Sequence, residues 1–493
     1  MSGLFIKKKS AVTPRRRRAE GNDAEATSQK RKKTKDTHLR EEIESDSDTE
    51  IAPARTKPKQ DEEEYLEETA QEKKLRLAKE YLKQLQQQEE EQKEDEDQDQ
   101  NAIANRLQED VLEQRGRLQR PLAKELLPPE PSEIRLLRGH QGPITCLVIS
   151  PDDSYLFSGS KDCSIIKWSV SDGKKMHKIP GGRKGTESTH VGHTGHVLCM
   201  ALSSDGKYLA SGDRNKLIFI WDPVTCQNLH KFQGHRDAVS GLSFQKGTHQ
   251  LFSASHDRSV KVWNVAENAY IETLFGHQDV ITGLDSLSRE RCVTVGGRDG
   301  TMRIWKIAEE TQLVFSGHEE SSLKGESLSH SVTSVSPQIG GPARRGSIDC
   351  VRLINEEHVV TGADDGSLAL WTVGKKKPLT QVKCAHGSHG DAGLEQPYWI
   401  CSVAAALNSD VVASGSHDGF VHVWRCGEGF RSLSPLWTIP LVGFINSLQF
   451  SSSANFLVAG VGQEHRLGRW WRKKEARNGL YIIPIKRTLV LGS

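Results

Sequence analysis

Histidine, serine and aspartate, the side chains of a catalytic triad, recur in this sequence at fixed distances before a tryptophan. Two sets are complete, and their members are His140, Ser158, Asp162 and Trp168 in the first, and His235, Ser253, Asp257 and Trp263 in the second. The same groups can form a buried hydrogen-bonded chain, in which the imidazole joins the carboxylate to the hydroxyl and the indole N–H donates to that hydroxyl. Because the pattern repeats along the chain, we interpret both sets as structural tetrads.

Other motifs of catalysis are missing from the sequence. There is no Gly-x-x-x-x-Gly-Lys-Ser/Thr phosphate loop, no nucleophile elbow and no His-Glu-x-x-His zinc motif. Cys384, His386 and His389 form the densest ligand-like cluster, but they lack a fourth ligand and lie in a Gly/Ser-rich stretch. We therefore expect no enzyme, no metal or cofactor site and no small-molecule substrate.

The chain has no apolar run of about 18 residues and no apolar segment of signal-peptide length near its start. Its nine cysteines include no Cys-x-x-Cys pair. We expect reduced thiols in a protein that is neither membrane-bound nor secreted.

The tetrad residues belong to a repeat with a period near 42 residues. Gly-His pairs precede alternating apolar runs, and these runs end at Trp168, Trp221, Trp263, Trp305, Trp371, Trp424 and Trp470. In the first four units the distance from histidine to tryptophan is 28 residues each time. This pattern is typical of WD repeats, which contribute four strands each. We predict an all-β, seven-bladed WD-repeat β-propeller over residues 133–487.

Several units depart from the repeat. Blade two has Asn215 where aspartate is expected, and blade four has Val295 at the hydroxyl position unless Thr294 shifts into it. Blade seven lacks most of the set, although Trp470 is expected to be its core tryptophan. In blade five, 53 residues separate His318 from Trp371, and we predict that the surplus, residues 319–345, is a flexible insertion looped out of the blade.

Ring closure is ambiguous in the sequence. Residues 134–138 and residues 480–485 compete for the outer strand of the last blade. We favour residues 134–138, with the C-terminal strand added outside the sheet or folded across a face.

A propeller has no chemistry of its own, so its function must come from its loops. The Gly-His loops and the aspartate turns lie on one face, and beside them blades one to four carry Arg138, Lys161, Arg214, Lys216, Arg236, Arg258 and Arg298. The corresponding positions of blade five hold Asp364 and Asp365. Arginines on a rigid ring can hold phosphates and recognise irregular RNA, so these residues are candidates for RNA binding. The alternative is scattered solubility charge with local pairs such as Arg236 and Asp237.

Blade seven offers a second basic and aromatic group. Its candidate RNA-binding residues are Arg466, Arg469, Trp471, Arg472 and Lys473. Strand alternation would place Trp471 opposite the core residue Trp470, where it could stack on a base. Another segment of the chain could equally cover it.

The first hundred residues differ in charge from the rest. Residues 1–40 hold 13 Lys/Arg and 4 Asp/Glu, whereas residues 41–100 hold 9 and 22. We predict a disordered basic and acidic tail over residues 1–60. Two clusters resemble a bipartite nuclear localisation signal: Arg15, Arg16, Arg17 and Arg18, then Lys30, Arg31, Lys32 and Lys33. A basic arm for nucleic acid and a merely solvated run are the alternatives. Ser45 and Ser47 each precede an acidic residue by three positions and are candidate phosphorylation sites.

Residues 61–127 are predicted to be a helical, charged segment. Leu75, Ala78, Leu82 and Leu85 follow a 3-4-3 spacing, and a second helical stretch runs to Gly116. The apolar stripe is short, so the helix is either exposed or docks on a partner.

Five stretches of sequence go beyond the generic repeat: residues 65–89, 111–119, 256–268, 440–453 (PLVGFINSLQFSSS) and 461–478 (VGQEHRLGRWWRKKEARN). They resemble the WD-repeat protein family specific to the U3 small nucleolar ribonucleoprotein. The resemblance implies a nuclear and nucleolar protein that binds the B/C box region of U3 small nucleolar RNA. It also implies as partners a small kink-turn-binding protein, other box C/D ribonucleoprotein subunits and the pre-ribosomal processing particle (small-subunit processome) that produces 18S RNA. The 319–345 insertion departs from the family pattern.

The expected function is thus that of a non-catalytic RNA-binding and assembly subunit in ribosome biogenesis and rRNA processing. The alternative, from a different class, is a purely protein-binding WD-repeat scaffold or ubiquitin-ligase adaptor. Salt-dependent RNA binding discriminates between them.

Overall fold

The computed structural model describes residues 106–112, 115, 118–183, 185–186, 190–316, 346–390 and 395–488, and the helical positions Arg76, Lys79 and Lys83. The predicted localisation clusters Arg15–Arg18 and Lys30–Lys33, the serines Ser45 and Ser47, and the insertion at 319–345 lie outside the described residues. The chain divides into two units, residues 1–83 and 84–493, and the architecture below is that of the second. Within the described part, no helix has the length and apolar character needed to cross a membrane.

The described strands begin with β1 (Leu126–Leu127) and β2 (Arg135–Leu137). The first four blades follow, each listed from its inner to its outer strand. Blade one contains β3 (Ile144–Ile149), β4 (Tyr155–Ser160), β5 (Ile165–Ser169) and β6 (Lys175–Ile179). Blade two contains β7 (Val197–Leu202), β8 (Leu209–Asp213), β9 (Leu217–Trp221) and β10 (Asn228–Gln233). Blade three contains β11 (Val239–Phe244), β12 (Gln250–Ser255), β13 (Ser259–Asn264) and β14 (Ala269–Phe275). Blade four contains β15 (Ile281–Ser286), β16 (Arg291–Gly296), β17 (Thr301–Lys306) and β18 (Thr311–Ser316).

Blades five to seven complete the ring. Blade five contains β19 (Ile348–Leu353), β20 (His358–Ala363), β21 (Leu368–Thr372) and β22 (Lys375–Val382). A small hairpin, β23 (Ser388–His389) and β24 (Gln396–Pro397), precedes blade six, which contains β25 (Ser402–Ala405), β26 (Val411–Gly415), β27 (Phe420–Cys426) and β28 (Leu433–Pro440). The chain continues through β29 (Phe444–Phe450), β30 (Phe456–Gly462), β31 (Gly479–Pro484) and β32 (Lys486–Arg487). Residues 106–112 are helical, and short 3-10 turns occur at Leu122–Lys124, Pro131–Glu133 and Glu428–Phe430.

The seven inner strands close a ring around a central axis. Each inner strand contacts that of the next blade, and β29 contacts β3. The core lies between neighbouring sheets: Phe157 of blade one and Val197 of blade two are both fully buried in one cluster with Trp221. Because both faces of a sheet are covered, the inner strands of blades one to three are buried almost throughout. Burying a large apolar side chain in these strands stabilises the fold by about 1.5–3 kcal/mol. The predicted all-β, seven-bladed propeller is confirmed.

The last blade joins the two ends of the repeat region. Its strand order from the outside inward is β2-β31-β30-β29, so residues Arg135–Leu137 supply the outer strand, as the sequence favours. The expectation that the C-terminal strand lies outside the sheet or across a face is wrong: Gly479–Pro484 is the ordinary third strand. The physical reason is that Leu480 and Ile482 are apolar and buried, so their strand lies within the sheet, between β2 and β30.

Residues 118–127 contain no α-helix, only the 3-10 turn Leu122–Lys124, which shortens the predicted helical segment at its C-terminal end. They form a strap that buries Leu118, Ala123 and Leu126 against blades five to seven. The Ala123 N–H donates to Asp410 Oδ1 at 2.9 Å, and β1 pairs with β32. The tertiary contacts of these three apolar side chains outweigh local helix propensity here.

Candidate nucleic-acid interface

The tetrads fix the loops on one face of the ring, which we call the top face. In blade one, His140 Nε2 lies 2.8 Å from Ser158 Oγ, to which the Trp168 indole also donates at 2.8 Å. His140 Nδ1 is 3.3 Å from Asp162 Oδ2. In blade three the corresponding distances among His235, Ser253, Trp263 and Asp257 are 2.7, 2.8 and 2.9 Å. Each chain of bonds ties the Gly-His loop to the turn between the second and third strands.

Blade two also has a complete tetrad, although the sequence places Asn215 at its acidic position. The carboxylate comes instead from Asp213, whose Oδ2 lies 3.0 Å from His193 Nδ1. His193 Nε2 contacts Ser211 Oγ at 2.5 Å, and Trp221 donates to the same oxygen. The expected gap in blade two is therefore wrong, because Asp213 at the end of β8 is fully buried while Asn215 is exposed.

Blades four and six complete their tetrads in irregular ways. In blade four Thr294 does shift in: its hydroxyl lies 2.8 Å from His277 Nε2 and accepts the Trp305 N–H at 2.8 Å. In blade six His386, one of the three ligand-like residues in the sequence, lies 2.8 Å from both Ser414 Oγ and Asp418 Oδ2. The signal for His386 was weak, because the β23–β24 hairpin separates it from Ser414 by 28 residues rather than the usual 18.

Hydrogen bonds favour the ionised form of the tetrad carboxyl groups of Asp162, Asp257 and Asp418. Burial by itself raises the pKa of Asp162, but hydrogen bonds from His140 and Ser164 hold that pKa below the usual carboxyl value. The pKa of Asp257 and that of Asp418 are likewise lowered, in each case because hydrogen bonds outweigh burial. An ionised acceptor strengthens the bond to the imidazole, so the tetrad holds its loop rigidly.

Blade seven has no tetrad, and Trp470 is not its core tryptophan. Trp470 is 60% exposed, whereas Trp168 of blade one is 2% exposed. Both Trp470 and Trp471 lie in a long loop, residues 463–478, between β30 and β31, which we call the blade-seven loop. The predicted strand alternation of these two residues is therefore wrong, since no strand contains them.

The blade-seven loop lies across the central channel and uses several of the predicted RNA-binding residues as anchors. Arg466 Nη2 donates to the carbonyl oxygens of Thr282 and Asp349 at 3.0 and 3.2 Å, inside the channel. The Lys473 ammonium donates to the carbonyl oxygen of His417. Arg466 and Lys473, which the sequence predicts to bind RNA, therefore make hydrogen bonds within the protein.

Lys161 of blade one is also turned inward. It is 8% exposed, donates to the Gly468 carbonyl at 3.0 Å and lies 3.6 Å from the Glu464 carboxylate. Burial lowers its pKa. Lys161, Arg466 and Lys473 thus hold the blade-seven loop, and their assignment to RNA contact is not supported by the geometry.

The remaining basic residues of blades one to three form an exposed group on the top face, which we call the basic arc. Its members are Arg138, Arg214, Lys216, Arg236 and Arg258, and all five are exposed. No described carboxylate forms an ion pair with any of them within 4.0 Å, so the suggested pair of Arg236 with Asp237 does not occur. Arg298 and Arg472 are exposed as well, while Trp471 packs against His417 with ring centroids 4.9 Å apart.

Two members of the basic arc occupy a backbone conformation that favours glycine. Lys216 has a φ of 72° and Arg258 a φ of 69°, each at the turn between the second and third strands. The equivalent turns of blades four, five and six use Gly300, Gly366 and Gly419, all at positive φ. A non-glycine residue there costs about 1 kcal/mol, and such strain concentrates at functional positions.

The comparisons with known proteins agree with this architecture. The family model described as WD domain, G-beta repeat matches residues 131–169, 186–222, 226–264, 268–306 and 392–425. U3 small nucleolar RNA-interacting protein 2 of Mus musculus is 66% identical over 85% of this chain and 83% of its own length. The chain belongs to this family. The resemblance seen in the sequence is thereby confirmed.

The chain is also similar to a protein of solved structure and to a more distant relative. A solved structure titled "Structure of U3-55K" is 64% identical, covers 72% of this chain and 99% of its own, and has a TM-score of 0.65. Ribosomal RNA-processing protein 9 of Saccharomyces cerevisiae is 28% identical over 78% of this chain and 79% of its own length. The repeat model leaves out blade five, where the insertion lies, and blade seven, which lacks a tetrad.

Proposed function

We propose that this protein is a non-catalytic, RNA-binding subunit of the U3 small nucleolar ribonucleoprotein and that the basic arc contacts structured RNA. The observation that carries the proposal is the arc itself: five exposed basic side chains on adjacent rigid loops, none of them paired with a described carboxylate. Lys216 and Arg258 keep a charged side chain at a position where three other blades use glycine.

The chemistry of the arc suits a folded RNA better than a small molecule. A guanidinium can bind a phosphate through two parallel N–H bonds, and several of them on one rigid surface match a fixed set of backbone phosphates. Because the tetrads hold the loops in place, little conformational entropy is lost on binding.

Arg469 of the blade-seven loop extends this surface toward the ring centre. The Glu464 carboxylate lies within ion-pair distance of both Arg469 and Lys161 of blade one, 3.6 Å from the Lys161 ammonium. Arg469 is 78% exposed at its side chain and pairs with Glu464 at 3.1 Å. We place Arg469 at the inner end of the RNA surface, with Arg472 beside it.

The names of the relatives support the identity of the RNA. We propose that the target is the B/C box region of U3 small nucleolar RNA, bound together with a small kink-turn-binding protein and other box C/D subunits. The mouse relative is named for interaction with U3 RNA and the yeast relative for ribosomal RNA processing. A role in pre-rRNA processing to 18S RNA, in the nucleus and nucleolus, follows as part of this proposal.

Competition binding of the full chain tests the proposal. A labelled U3 fragment containing the B/C box is bound by the chain in the presence of the kink-turn-binding protein, and unlabelled competitors are added. We expect the intact fragment to compete at least about tenfold better than the same fragment with a scrambled box. Equal competition, or no binding to either RNA, would contradict the proposal and favour the protein-binding scaffold.

A further inference from the structure

A large cavity opens on the top face on the side away from the basic arc. It has a volume of about 1230 Å³ and lies between the blade-seven loop and the loops of blades four to six. One wall carries the carboxylates of Asp279, Asp349, Asp364 and Asp365. Another part of the lining, which we call the aromatic wall, contains Trp399, Trp470 and Trp471.

The Arg298 side chain also lines the cavity, but the acidic wall has no ion-paired partner among the described residues. Asp349 accepts a bond from the Ser347 hydroxyl at 2.7 Å, and Asp364 accepts the Ser347 N–H at 2.7 Å. Asp365 accepts the Ser367 N–H and Asp279 the Arg298 N–H, both main-chain groups, at 2.9 Å. None of these four carboxylates forms an ion pair with a described Lys, Arg or His side chain.

The carboxyl groups of the acidic wall repel one another. Burial and the neighbouring Asp364 raise the pKa of Asp349 to about 6, although Arg466 acts in the opposite direction. Burial and the charge of Asp365 raise the pKa of Asp364. A cation placed between them would relieve this repulsion.

The aromatic wall is partly exposed to solvent. Trp470 is 60% exposed and Trp471 43% exposed, and the Trp399 and Trp470 rings meet at 72° with centroids 6.0 Å apart. Indole faces attract cations, and a planar guanidinium also stacks on them.

His417 at the base of the cavity supplies an unsatisfied polar group. It is 3% exposed and lines the cavity, and neither of its ring nitrogens has a hydrogen-bond partner among the residues that the structure describes. Burial, followed by the charges of Lys473 and His389, lowers its pKa to about 4, so the ring is neutral at pH 7 and one nitrogen is an acceptor. A buried acceptor without a partner is costly, and an N–H donor from a ligand would satisfy it.

We propose that this cavity binds an arginine side chain presented by a basic peptide segment of a partner protein. The guanidinium supplies a positive charge that can pair with the carboxylates. It also has a flat shape that fits between indole rings, and it has N–H donors for His417. The volume exceeds that of one side chain, so neighbouring residues of the peptide also enter. RNA is the less favoured occupant because four carboxylates repel phosphates, and the basic arc lies on other blades.

Peptide binding to the full chain tests this inference without RNA. The probe is a fluorescein-labelled peptide of Gly, Ser and Arg, and the matched control replaces each arginine with citrulline, which keeps the shape and removes the charge. Fluorescence anisotropy measures the affinity. We expect the arginine peptide to bind and the citrulline peptide to bind at least about tenfold more weakly.

Two variants alter the acidic wall and the aromatic wall, and a third is the control. Asp364→Asn with Asp365→Asn keeps the acceptors for Ser347 and Ser367, and Trp470→Ala removes an exposed ring, so all variants should fold, as thermal unfolding checks. The control, Asp172→Asn with Glu267→Gln, makes the same charge change at exposed positions in the outer loops of blades one and three. We expect each cavity variant to weaken peptide binding by at least about tenfold and the control to leave it unchanged.

Two results would overturn the inference. One is arginine-peptide binding that is equal in the cavity variants and the control. The other is an absence of peptide binding together with a loss of U3 RNA affinity in Asp364→Asn with Asp365→Asn, which would make the cavity an RNA contact. Loss of peptide binding in these variants with RNA affinity unchanged supports the protein partner, whatever the outcome for the basic arc.

Discussion

The Arg466 guanidinium of blade seven donates a 3.0 Å hydrogen bond to the main-chain carbonyl of Thr282 in blade four, on the far side of the central channel. The same nitrogen reaches the Asp349 carbonyl in blade five. One side chain thus ties together three blades that are remote in sequence. The blade-seven loop is held over the channel by this bond and by the contacts of Lys161 and Lys473 with Gly468 and His417.

Replacing Arg466 tests its role as an anchor. Arg466→Met removes the guanidinium that donates to the carbonyl oxygens of Thr282 and Asp349, and we expect it to lower the free energy of unfolding by about 1.5–3 kcal/mol. The control is Arg469→Met, in the same loop but with an exposed side chain, for which we expect a loss below about 1 kcal/mol. Urea unfolding measures both values, and equal losses would contradict the anchoring role.

Asp213 and Asn215 are the two candidates for the acidic position of the blade-two tetrad. Asp213→Asn replaces the carboxyl group that faces His193 Nδ1 and should cost about 1–3 kcal/mol of unfolding free energy, because both groups are buried. Asn215→Ala, two residues later and exposed, should cost under about 0.5 kcal/mol. If urea denaturation ranked the two in the reverse order, the assignment of Asp213 would be wrong.

Acid should weaken the fold through His417. Its folded pKa of about 4 lies below the ordinary value of 6.5, so the unfolded chain binds the proton more readily between these values. The contribution of His417 to stability is therefore complete above pH 6.5 and is lost as the pH drops toward 4, by about 3 kcal/mol for this group.

A histidine substitution isolates that contribution. His417→Gln cannot take up the proton, so its unfolding free energy should fall less between pH 7 and pH 5 than that of the wild type. His177→Gln, at an exposed position of β6, should keep the wild-type pH dependence. Indistinguishable pH profiles for all three proteins would refute the role of His417.

In the strained turn of blade three, Arg258 is expected to lower the stability of the fold and to strengthen RNA binding. Arg258 has a φ of 69°, so Arg258→Gly should raise the unfolding free energy by about 0.5–1 kcal/mol and weaken U3 RNA binding through loss of the charge. Thermal unfolding and RNA titration measure the two effects on one sample. A glycine variant with lower stability, or with full RNA affinity, would show that the arginine is not kept for binding.

The ring and its tetrads were predictable because they follow a local period. The distance of 28 residues between His140 and Trp168 recurs in the first four units, and it determines which residues are buried. Blade seven could not be placed in this way, because counting back from Trp470 assumes a strand that does not exist. Leu480 of the true third strand lies beyond a loop of 16 residues, and no local pattern connects the two.

The candidate site was predictable only in part for a similar reason. A basic residue next to a Gly-His pair or an aspartate turn must lie on the top face, which identified Arg214 and Arg258 correctly as exposed. Whether such a residue faces water depends on segments far away in the chain. Lys161 is buried only because Gly468 and Glu464 fold over it, some 300 residues later.

The measurement that tests the basic arc most directly is the salt dependence of U3 RNA affinity. The full chain is compared with Arg214→Gln, Arg236→Gln and Arg258→Gln combined, and with a control of equal charge change, Lys375→Gln, Lys376→Gln and Lys377→Gln, at exposed positions of β22. If the arc binds phosphates, the slope of log affinity against log salt becomes shallower by about 2 in the arc variant and stays at the wild-type value in the control. A slope that is unchanged in the arc variant, or reduced equally in both, would contradict the account.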